Sequence, residues 1–79
     1  MITGVDILRI IRESDIGIDT EALDHRRPLH EQQIDSLDMM TILFEVEKRF
    51  SVSIAEADIE NDLLASIDQI VQYVNARAA

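Results

Sequence analysis

Residues 34–50, IDSLDMMTILFEVEKRF, decide how this chain folds. At about 100° per residue the run separates into arcs, the signature of an amphipathic helix. Met39, Ile42, Leu43, Val46 and Phe50 fall on one side, wide enough to face a core. Leu37, Met40 and Phe44 form a second apolar stripe, and Ser36 lies near the boundary between the two arcs. Asp38, Thr41, Glu45, Lys48 and Arg49 make the polar remainder. A small bundle buries one arc of a helix readily, whereas burying both requires neighbours on two sides. Leu37, Met40 and Phe44 are therefore either covered by the preceding loop or left as a docking surface.

The start of the helix is equally legible. Asp35 is a good N-cap and Asp38 stands three residues on, which places negative charge at the positive end of the helix. On this stretch alone, Ser36 is read more simply as part of helix initiation than as a reactive group. No Gly-x-Ser-x-Gly turn and no Ser-x-x-Lys pair surrounds it, and His25 and His30 sit in a charged loop. Nucleophilic serine catalysis is therefore not expected, and no catalytic residue is assigned. If the Ser36 hydroxyl has chemistry, another protein supplies it.

Outward from this helix, two further helical patterns appear. Ile7, Leu8, Ile10 and Ile11 oppose Asp6, Arg9, Arg12 and Glu13, with Thr3 and Asp6 placed as a capping box. That helix is expected to stop between Ser14 and Gly17, with Gly17 supplying left-handed backbone. Near the C-terminus, Ser66 and Gln69 form a second capping pair ahead of Ile67, Ile70, Val71 and Val74 at helical spacing. A short helical turn is expected around 56–61. Residues 15–35 make a long connection, pinned by Ile16, Ile18, Leu23 and Leu29 and interrupted by Pro28. The fold class is all-α: a small four-helix bundle of three main helices plus one short one, with a long loop between the first and second.

Composition narrows the function classes. The chain has 79 residues and no cysteine, so its stability rests on helix packing without disulfides. At 47% hydrophobic and 29% charged it is a folding sequence, not a disordered one. A net charge of −9 disfavours nucleic acid and anionic membranes and favours basic patches on other proteins. No apolar run approaches the roughly 20 residues that span a bilayer. The opening MITGVDILRI lacks the pattern of a signal peptide, which leaves the cytoplasm as the default compartment. Glu56, Asp58, Glu60 and Asp62 lack the glycine and ligand spacing of a calcium loop and read as a solvated face or a weak cation-binding one. His25 and His30 read as surface residues, and no metal site is assigned.

Taken together, the chain resembles the acyl carrier protein family. The likeness rests on the Asp35-Ser36-Leu37 motif opening the second helix, on FEVEKRFSVSI running out of it, and on the terminal SIDQIVQYV. The resemblance implies a single acyl carrier domain over 1–79, acting as a stand-alone, non-catalytic and monomeric carrier. It implies that Ser36, flanked by Asp35 and Leu37, receives 4′-phosphopantetheine from coenzyme A through a phosphopantetheinyl transferase. Acyl groups would then ride as thioesters on an imported thiol, within a cavity lined by Met39, Leu43, Val46, Ile59 and Leu64. Acyl-loading and condensing enzymes with basic docking patches would engage Leu37, Asp38, Met40, Phe44 and Glu47. Fatty-acid, polyketide or related synthesis is the implied setting.

Two departures from the family pattern stand out. Gln32 and Gln33 replace its usual Leu-Gly, so the loop is expected to enter the helix differently. Thr41, Lys48 and Arg49 dilute the acidity of the second helix, which points to a dedicated pathway. The alternatives are an aminoacyl or peptidyl carrier, disfavoured by the lack of Gly-Gly-x-Ser, and an acidic interaction module without a prosthetic group.

Overall fold

The computed structural model describes residues 1–78, which form four helices and no strand. Helix α1 spans Gly4–Glu13, α2 Ser36–Phe50, α3 Glu56–Glu60 and α4 Ile67–Ala78. The connection between α1 and α2 carries two 3-10 turns, Thr20–Ala22 and Leu29–Gln32. Helix α1 packs against both α2 and α4, the first 3-10 turn against α1, and the second against α2. The radius of gyration is 11.3 Å. A compact chain of this length has about 11.6 Å, so the long connection is folded onto the bundle.

Each helix carries its apolar face inward. Ile7, Ile10 and Ile11 of α1, Ile42 and Val46 of α2, and Ile67, Ile70 and Val74 of α4 are all at most 1% exposed. Leu29 and Ile34 pin the loop into the same core, while Ile16 and Ile18 pack against its edge. The caps follow the sequence signals. The Asp6 carboxylate accepts the Thr3 N–H at 2.9 Å. Ser66 and Gln69 cap α4 reciprocally, the backbone N–H of each donating to the other's side chain at 3.1 and 3.2 Å.

Three expectations are corrected. The left-handed residue just beyond α1 is Asp15, at φ 55°, while Gly17 turns left-handed two residues later. Aspartate tolerates this region better than most side chains, so the helix stops before the glycine is reached. His25 is half-buried: its carbonyl accepts the Asp68 N–H at 3.0 Å, and its ring lies over Gly4. A Cβ at Gly4 would stand 2.9 Å from His25 Nδ1, so glycine permits this loop-to-helix approach. The third correction concerns the acidic run, because Asp58 is not part of a solvated face. It accepts the Tyr73 hydroxyl at 2.5 Å and pairs with Arg77 at 3.4 Å. The Tyr73 hydroxyl in turn receives the Ala55 N–H at 3.4 Å, and the Arg77 guanidinium lies over the Tyr73 ring. This cluster ties α3, which has no buried residue of its own, to α4.

Candidate functional site: the mouth of α2 and its groove

The entry to α2 is built in four residues. Gln33 turns the chain left-handed at φ 69° and ψ 24°. Ile34 plugs into the core at 1% exposure. Asp35 is extended at φ −79° and ψ 179°, and its carboxylate accepts the Asp38 N–H at 2.9 Å. Ser36 is then the first helical residue and is exposed. Capping is thus carried out by Asp35, and the Ser36 hydroxyl is left out of the cap. The left-handed turn that a glycine would serve is made here by a residue with a side chain.

Ser36 stands at the rim of an apolar groove of about 280 Å³. Met39, Met40 and Leu43 of α2 form one wall, Ile59 and Leu64 the other, and His30, Asp62 and Ala65 complete the mouth. A second groove of about 420 Å³ continues along α2 and shares Met40, Leu43 and Ile59 with the first. Phe44 and Ile54 extend its apolar floor, and Glu47, Glu56 and Glu60 supply carboxylates. Val46, assigned to the cavity from sequence, is fully buried and lines neither groove. It faces the bundle core instead.

The second stripe of α2 is exposed. Leu37 is 79%, Met40 40% and Phe44 56% accessible, so the long loop does not cover them. Asp38, beside them, is half-exposed. Glu47 is partly committed, because its carboxylate accepts the Ile54 N–H at 2.9 Å and holds the chain leaving α2. The cations on α2 lie elsewhere. Arg49 pairs with Glu13 of α1, and both Arg49 and Lys48 approach Glu45 at 3.7 Å. Arg49 and Glu45 share a shallow hollow between α1 and α2 with Thr41 and Ile10. The residues that dilute the acidity of α2 in sequence therefore leave the grooves lined by carboxylates. His30, Asp62, Glu56 and Glu60 join the site only in three dimensions. For Glu56, Glu60 and Asp62 the one sequence signal was the placement of Ile59 as a groove residue, which brings its acidic neighbours along; His30 had none.

The sequence pattern of the family described as the phosphopantetheine attachment site matches residues 6–74. The chain belongs to the acyl carrier protein family. It is similar to an acyl carrier protein of Kocuria rhizophila, at 32% identity over 74 residues that cover 91% of this chain and 88% of the relative. No solved structure matches it. The cofactor of an acyl carrier protein is covalent 4′-phosphopantetheine, whose thiol holds acyl groups as thioesters. The site fits such a group: an exposed hydroxyl released from capping opens directly onto an apolar groove. Carriers of this family serve a phosphopantetheinyl transferase and biosynthetic enzymes and are not themselves catalysts. Among the described residues, no helix is long and apolar enough to cross a membrane, and no cluster of three or more metal-ligating side chains occurs.

Proposed function

We propose that Ser36 is the attachment point for 4′-phosphopantetheine and that this domain shuttles thioester-bound acyl intermediates between enzymes. One observation carries the reading: Asp35 caps α2, so the neighbouring Ser36 hydroxyl is exposed and free for a phosphodiester at the mouth of an apolar groove. Asp35 fixes the helix start and Leu37 lies beside the anchor on the exposed face. Met39, Met40, Leu43, Ile59 and Leu64 give an aliphatic chain somewhere to leave water, at a gain of about 0.8 kcal/mol per buried methylene. The same lining offers an aminoacyl cargo few polar partners, which favours an acyl over an aminoacyl or peptidyl carrier.

The test is loading. The protein is incubated with coenzyme A and a broad-specificity phosphopantetheinyl transferase, and intact mass is measured. A gain of one phosphopantetheine is expected, absent in Ser36→Ala. Because Asp35 holds the cap, that variant retains its fold by circular dichroism. A missing gain under conditions that modify a control carrier leaves only an interaction module without a prosthetic group.

The partner surface in this reading combines Leu37, Asp38, Met40 and Phe44 with the carboxylates of Glu47, Glu56 and Glu60. Acyl-loading and condensing enzymes with basic patches would read α3 as well as α2. The domain acts as a monomer in the cytoplasm, in fatty-acid, polyketide or related synthesis, and serves a dedicated pathway. Exchange tests this last point: if the chain restores bulk fatty-acid synthesis as well as a housekeeping carrier does, the dedicated assignment is wrong.

A further inference from the structure

The loop ahead of α2 holds one side chain at the groove mouth that the carrier reading leaves unused. Leu29 is fully buried, and its N–H donates to the Ala65 carbonyl at 2.8 Å, which ties the second 3-10 turn to the α3–α4 connection. The Gln32 side chain closes the same turn, accepting the Asp24 N–H at 2.7 Å and donating to the Asp24 and Arg27 carbonyls at 2.9 and 3.1 Å. With Leu29 directed inward and both ends of the turn fastened, His30 is exposed on the groove that Ser36 opens. Among the described residues lining that groove, His30 is the one that can become a cation.

We propose that His30 contacts the phosphate that joins the prosthetic group to Ser36 and sets the direction in which the arm leaves the helix. This rests on Ser36 being the attachment point. A phosphodiester is a single, permanent negative charge at neutral pH. Asp35 and Asp38 bracket Ser36 on α2, and Asp62 faces the same groove from the α3–α4 connection. On the loop itself, Glu31 is paired with Arg27 at 3.7 Å. The mouth is therefore acidic apart from His30, and an added phosphate meets repulsion on two sides. The His30 ring N–H is the donor placed to offset it, through a hydrogen bond to a phosphate oxygen.

Phosphorus and proton NMR of the loaded chain test the contact without any activity assay. Loading is first verified by mass; a chain that gains no phosphopantetheine overturns the attachment reading, and this inference with it. In the loaded wild type, the phosphodiester ³¹P resonance is expected to shift away from the position it takes in the urea-unfolded loaded chain. His30→Gln loses that shift. The His30 ring signals move on loading, while those of His25, held over Gly4 at the start of α1, stay in place. A loaded chain whose ³¹P resonance keeps its unfolded position, or shifts equally in His30→Gln, overturns the His30 contact and leaves the attachment at Ser36 standing.

Discussion

Gln33, where the family resemblance leads one to expect glycine, takes a left-handed backbone. Its φ of 69° lies in the left-handed region, which costs a side chain of this kind about 1 kcal/mol or more. Replacing it with glycine removes that cost but restores freedom to the unfolded chain, which takes back part of the gain. Gln33→Gly is expected to stabilise the fold by about 0.5 to 1 kcal/mol, read as a raised urea midpoint with an unchanged slope. A destabilised variant would show that the exposed Gln33 side chain makes up for its backbone. The same residue marks a limit of sequence reading. A glycine announces a left-handed turn through its identity, whereas glutamine adopts one only because Ile34 and Leu29 fix the chain on either side.

Helices α1, α2 and α4 were legible because their signals are local: an apolar face at helical spacing, and caps at Asp35 and at Ser66 with Gln69. The width of the α2 arcs marked Leu37, Met40 and Phe44 as a second stripe but left open whether the loop covers it, and only the structure shows it exposed. Helix α3 was harder, because what holds it is non-local. Asp58 resembled its acidic neighbours in sequence, and only the approach of α4 gives it Tyr73 and Arg77. Burial, and then the hydrogen bond to Asp58, raise the Tyr73 pKa above its ordinary value of 10. The Ala55 N–H and the Arg77 charge pull it back in part. A phenol that holds its proton more tightly when folded contributes stability that is whole below about pH 10 and is lost as pH rises through the folded-state value. Tyr73→Phe is expected to cost about 1 to 2 kcal/mol at neutral pH, and the gap to wild type should narrow above pH 10. Because α3 has no buried residue, the effect concentrates there. Amide exchange over residues 56–60 should quicken by about tenfold, equivalent to roughly 1.4 kcal/mol, with α1 much less affected. Uniform acceleration along the chain would mean that the cluster supports the whole bundle and not α3 in particular.

Across the whole molecule, a net charge of −9 is folded into a body 31 × 24 × 20 Å in extent. Two electrostatic effects then compete. Exposed ion pairs such as Arg27–Glu31 and Lys48–Glu45 stand at 3.7 Å, where each is worth about 0 to 1 kcal/mol and weakens in salt. Opposing them is repulsion among surplus carboxylates, concentrated where Glu47, Glu56 and Glu60 meet along one groove. At low salt the Debye length is about 30 Å, comparable to the molecule, so every surplus charge feels the others; at physiological ionic strength it falls to about 8 Å. Repulsion acts over longer distances than the pairs do, so screening removes more destabilisation than stabilisation. The melting temperature is expected to rise by several degrees between about 10 and 150 mM sodium chloride and then to level off. Glu56→Gln combined with Glu60→Gln should flatten that rise by thinning the groove's charge without altering the core. A melting temperature that falls with salt would show that the ion pairs outweigh the repulsion, and that this acidic groove is stable without a cationic partner to neutralise it.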